Sequence, residues 1–234
     1  RCFPHIVNLA CKAILAALAK TDYFIDDDAP DIDEYGDPIV SLRNLIRAIW
    51  ASSLRRQHFS DLAKKYGFEL QLLRDVDTRW SSALYMIERA LLLEKPLDAF
   101  CASRDFHDLK KYQLTPEQWD ILAIVQEILL VPDAFQQKLS AEKTPTLCNA
   151  LPSFDAMVHI WKNQQKQFGY PFSDIIQEGI DKLDAYHSRI ELVPAYVISM
   201  SESFFKFVVV CLSRMNASSP QPFHEAPLYC TRKS

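Results

Sequence analysis

Only four glycines occur in this 234-residue chain, and that scarcity limits what it can fold into. Tight hairpins and phosphate-gripping loops need backbone with positive φ, which glycine adopts without steric cost. With so few, the elements must be joined by turns built on Pro, Ser and Asp, which suits long helices better than sheets. No G-x-G-x-x-G or G-K-[ST] occurs, which argues against a dinucleotide-binding fold and a P-loop.

The apolar periodicity agrees. Ile6, Leu9, Ala10, Ala13, Ile14, Ala17 and Leu18 recur at helical spacing, predicting a helix over 4–20 with Pro4 in its first turn. Residues 39–66 read as one or two helices, broken near Ser52 and Ser53 and stopped by Gly67. Their inward stripe is Leu42, Leu45, Ile46, Ile49 and Trp50. Residues 70–76 form a short apolar run with strand character, and an amphipathic helix over 79–93 follows, with Asp77 or Thr78 as its cap and Pro96 as its end. A shorter helical piece over 97–102 and a polar connection come next. Thr115, Pro116 and Gln118 spell a capping box at the head of a helix over 116–141 that is apolar on most sides, and therefore central. Further helices are expected over 146–168, 173–190 and 194–213, with a disordered tail over 214–234.

The net charge of −4 hides an uneven distribution. Residues 22–37 carry eight acids and no base; without them 26 basic residues face 22 acidic ones, a net of +4. The segment 21–38 is expected to be a solvated acidic loop on a mildly basic body. It fails as a calcium loop, because Tyr35 and Leu42 fall where carboxylates are required. A basic body permits nucleic-acid binding without demanding it.

The six cysteines form no C-x-x-C pair, and their scatter suits reduced thiols inside a cell. The apolar run 207–212 is far too short to span a bilayer, so no membrane partner is expected. No G-x-S-x-G or H-E-x-x-H is present, and the six histidines are scattered. Asp75 and Asp77 share one side of the apolar run and are the best-placed pair for Mg²⁺, although a turn acid and a helix cap account for them as well.

The order of several short motifs says more than any one of them. Cys2-Phe3-Pro4-His5 opens the first helix. Asp77-Thr78-Arg79-Trp80-Ser81-Ser82 leads into Tyr85-Met86-Ile87-Glu88-Arg89. Leu114-Thr115-Pro116-Glu117-Gln118-Trp119 heads the long apolar helix, and residues 144–151 and 180–186 continue the series. Taken together, residues 1 to about 200 resemble the hAT superfamily of DNA transposases.

The resemblance implies an RNase H-like core interrupted by a helical insertion, with two Asp and one Glu holding Mg²⁺ or Mn²⁺ in a complete member. Cys2 and His5 match the family's C-x-x-H motif. Residues 70–76 would be the last core strand, and Arg79 and Trp80 match its Arg-Trp pair, which meets a flipped base. The catalytic acids would lie outside this chain, and Asp75 and Asp77 are not among them.

The expected architecture is thus mostly α: a partial RNase H-like core over 1–80 with about one strand, and a helical insertion domain over 81–213. The leading functional expectation is a fragment of a hAT-type transposase, with no metal bound here, no DNA cleavage, and weak DNA binding. Its contact candidates are Trp80, Arg79, Arg43, Arg47, Arg55 and Arg56. The alternative is a domesticated, non-catalytic protein-interaction module. Either belongs in the nucleus or elsewhere inside the cell, with homo-oligomers expected only of a full-length family member.

Overall fold

The computed structural model describes residues 3–21, 37–76, 79–139 and 150–190. Cys2, most of the acidic segment, Asp77, Thr78, the 144–149 motif residues, the expected helix 194–213 and the tail lie outside the described residues. Eight α-helices make up most of the described chain. They are α1 Phe3–Leu18, α2 Pro38–Trp50, α3 Ser53–Lys65, α4 Trp80–Leu92, α5 Glu94–Cys101, α6 Pro116–Leu139, α7 Ala150–Phe168 and α8 Phe172–Ile190.

The local signals act where the sequence puts them. Asp37 caps α2, its carboxylate accepting the Ile39 N–H at 2.8 Å, and Pro38 takes the first turn. Ser52 separates α2 from α3 and accepts the Arg55 N–H at 3.4 Å. Gly67 follows the end of α3 with φ of 85°, a conformation that side chains rarely adopt. At α6 the capping box closes in both directions: the Thr115 N–H donates to Gln118 at 3.0 Å, and the Gln118 N–H to Thr115 at 3.3 Å.

α1 is the hub. Ile6, Val7, Ala10, Cys11, Ile14 and Leu18 are all buried. The helix packs chiefly on α8, and also on α6 and α4, while α7 closes the bundle against α6 and α8. A Cβ added at Gly179 would lie 2.6 Å from Ile14 Cδ1 and 2.8 Å from Ile14 Cγ1, so glycine sets the closeness of the α1–α8 crossing. The indole N–H of Trp161, on α7, donates to the Ile128 carbonyl at 3.1 Å, which fastens α7 to α6 inside the core. The second group is α2, α3, α5 and a pair of 3-10 turns over Arg104–Tyr112, interrupted at Phe106. Its aromatic centre stacks Phe100 on Phe106 at 5.0 Å, with Phe59 edge-on to Phe100 at 5.8 Å. One hydrophobic cluster takes residues from both sides of position 80.

Three expectations are corrected. No strand occurs among the described residues, and residues 68–76 are neither helix nor strand. Of their apolar side chains Leu72 is buried, whereas Leu70, Leu73 and Val76 face outward. Their backbone groups turn to side chains instead: Arg89 donates to the Gln71 carbonyl at 2.8 Å, and the Val76 N–H donates to Ser82 Oγ at 2.9 Å. The N-cap of α4 is Arg79, which makes no side-chain cap bond. Pro96 lies in the first turn of α5 rather than ending α4, since the break falls at Leu93. The polar connection after 102 is the pair of 3-10 turns, which bury Phe106 and Leu109. No described helix is long and apolar enough to cross a membrane.

Candidate nucleic-acid interface

The segment 68–76 follows α3 in the chain, and Arg43 and Arg47 of α2 and Arg56 of α3 line grooves together with it. Three anchors hold it: buried Leu72, the Arg89 bond to Gln71, and Asp75. The Asp75 side chain is 3% exposed, and its Oδ2 receives Arg43 Nε at 2.9 Å and Nη2 at 2.5 Å. Its Oδ1 lies 2.5 Å from the Ser82 hydroxyl, on the first turns of α4. One carboxylate therefore ties α2, the segment and α4 together.

This geometry sorts the six predicted contact residues. Arg43 is committed to Asp75, so it no longer forms a phosphate clamp with Arg47. Arg55 donates to Asp108 at 2.7 Å and to the Ala48 carbonyl at 3.2 Å, bracing α3 against the 3-10 turns. Trp80 is 3% exposed and belongs to the core cluster, so its ring faces are not open to a base in this conformation. Arg47 and Arg79 are exposed and have no side-chain partner among the described residues. Arg56 is exposed and lies with its guanidinium carbon 5.5 Å from the centre of the Trp50 ring. His5 sits exposed on the first turn of α1.

Two residues escaped the sequence reading. Arg74 has its guanidinium carbon 5.2 Å from the centre of the Trp50 ring, and Trp50 itself is half-buried at the edge of the core rather than within it. The available signal was position: counted from Leu42, the stripe repeats at 45, 46 and 49, which leaves Trp50 on its edge. A groove of about 300 Å³ beside Lys12 and Arg79 shares Arg43, Asp75 and Val76 with a smaller one beside Arg47 and Arg74. Arg74 leads on to Trp50 and Arg56. Lys12, Arg79, Arg47, Arg74 and Arg56 thus follow one another along a continuous strip.

The metal implied for a complete transposase does not fit these residues. Asp75 is occupied by Arg43 and Ser82, and among the described residues no three His, Cys, Asp or Glu side chains could hold an ion together. The burial of Cys11 and Cys101 raises both thiols, Cys101 to about 12, so neither is an available thiolate.

Comparison with known proteins agrees with the coarse form of the resemblance, a helical domain of transposase type. The putative transcriptional regulator tpeD of Talaromyces stipitatus is 26% identical over 180 residues, 72% of this chain and 21% of that protein. The human zinc finger BED domain-containing protein 4 is 23% identical over 162 residues, 68% of this chain and 12% of that protein. The chain therefore spans about a fifth and about an eighth of the length of these relatives. No solved structure matches. The family model of the ZBED1 RNase-like helical domain matches residues 1–128, which carry α1 to α5, the anchored segment and the first half of α6, and the chain belongs to that family.

Proposed function

We propose that this chain is the helical part of a hAT-derived nuclear protein and that it holds nucleic-acid backbone along the strip from Lys12 to Arg56 without cutting it. The observation that carries this reading is the state of the charges along the strip. The carboxylate in its midst, Asp75, is already taken by Arg43 and Ser82, while Arg47 and Arg79 have no described partner. Such an array suits phosphates, which are positioned by cations and read without regard to sequence. The names of the two relatives, a transcriptional regulator and a BED zinc finger protein, favour a regulatory setting over a catalytic one.

The test is duplex DNA binding measured across a salt series. Arg47→Glu together with Arg79→Glu should weaken binding by at least about tenfold and flatten the slope of log K against log salt by about two. Both side chains are exposed, so circular dichroism and melting temperature should hold. A duplex affinity that does not change with salt or with these substitutions would instead favour the protein-interaction reading.

A further inference from the structure

The strip ends in a cleft of about 280 Å³ between α2, α3 and Gln71 and Leu72 of the segment 68–76. Trp50 forms one wall, and buried Phe59 and Leu72 lie beneath it. The rim is polar, with Ser53, Ser60 and Gln71 beside Arg56, and with Gln57, whose amide donates to Asp61 at 3.0 Å. Ser53 is also the first residue of α3, so the positive end of that helix opens onto the cleft. Arg56 and Arg74 rest on the Trp50 ring at 5.5 and 5.2 Å.

We propose that this cleft takes an unpaired nucleobase together with its phosphate, so that the strip prefers single-stranded or locally opened nucleic acid. The chemistry follows from the lining. A base offers a flat apolar face and an edge that both donates and accepts hydrogen bonds. A half-buried indole with two guanidinium carbons within 5.5 Å of its ring centre offers apolar surface and charge beside which a base can lie. Hydroxyl and amide groups meet a base edge from either side of the donor–acceptor divide. The two arginines and the start of α3 supply the charge for the phosphate. A peptide carrying carboxylates would satisfy the arginines and its backbone could meet the rim, but without an aromatic residue it brings no flat ring to Trp50.

This inference rests on the backbone-binding reading, and the experiment separates the two. Trp119 and Trp161 are at most 4% exposed and Trp80 is 3% exposed but lines the groove beside Arg79, so the change in tryptophan emission that disappears in Trp50→Leu is the part that reports on Trp50. The full chain is titrated with a short single strand, with an abasic strand of the same length and charge, with the matching duplex, and with an acidic peptide containing one Leu. The expected result is quenching by the single strand alone, with binding about tenfold tighter than to the abasic strand. Trp50→Leu, which keeps the apolar contact without the ring, should lower single-strand affinity to that of the abasic strand and so erase the difference. Equal binding of the two strands with unchanged emission overturns the base site while leaving the strip standing. Binding of neither strand nor duplex overturns both readings. Quenching by the peptide and not by the strand makes the cleft a peptide site and overturns the inference.

Discussion

Asp75 shows how one side chain can exclude a chemistry and organise a surface at once. In the sequence it stands two residues from Asp77, as a metal ligand would. In the structure it is the carboxylate to which Arg43 and Ser82 are fastened. Hydrogen bonds to charged groups contribute roughly 1.5–3 kcal/mol each, and Arg43 is partly exposed, which lowers the figure here. Asp75→Asn should therefore cost about 1–2 kcal/mol in urea unfolding. It should also free a guanidinium on the strip, so duplex affinity should rise or hold; a fall would mean that Asp75 serves the interface itself. The thiols give a second prediction at this scale. Cys11 is fully buried, and desolvation raises Cys101 to about 12, so at pH 8 neither is ionised. Alkylation mapped by mass spectrometry should spare both in the native protein and reach both in denaturant. Early labelling of either would show that α1 or α5 opens on its own.

Elements defined by local chemistry were legible, and those defined by distant partners were not. The capping box at Thr115 needs only three neighbouring residues, and Ser52 and Gly67 punctuate α3 in the same way. The run 70–76 failed as a strand because a strand is made by its neighbours, and an isolated apolar run looks the same whether or not a partner exists. The candidate site suffered likewise. Arg43 and Asp75 are 32 residues apart, and nothing local announces that one consumes the other. Trp50 and Trp80 both lie on apolar stripes, yet Trp80 is buried within the core cluster while Trp50 only packs, half-buried, against its edge. Close helix crossings are equally hidden. Gly179→Ala should gain about 1 kcal/mol of helix propensity but lose more to the clash with Ile14, for a net destabilisation of about 1–3 kcal/mol. Ile14→Val removes the Cδ1 atom that lies 2.6 Å from the new methyl group, so the double variant should melt above the single Gly179→Ala variant. Additive losses would mean that the two residues do not meet.

At the scale of the whole molecule the question is whether residue 80 divides anything energetically. A helical insertion that folds by itself would keep its own core. Here the six most deeply buried side chains of α1, Ile6, Val7, Ala10, Cys11, Ile14 and Leu18, pack within one cluster that also holds Ile176, Ile180 and Trp161. Fully burying a large aliphatic side chain contributes about 1.5–3 kcal/mol, and four of these six are Ile, Val or Leu. Removing α1 therefore forfeits roughly 6–12 kcal/mol, comparable with the whole stability of a typical domain at about 5–15 kcal/mol. The full chain should unfold in one transition, followed equally by far-ultraviolet dichroism and by the emission of its buried tryptophans. A fragment beginning at residue 81 should keep some helix but lose the cooperative transition and bind a hydrophobic dye. Adding a peptide spanning residues 3–20 should restore the transition, because α1 lies against α8, α6 and α4 rather than acting through the covalent chain. A fragment that melts cooperatively without the peptide would place the boundary at residue 80 after all and make α1 an accessory to a self-sufficient bundle.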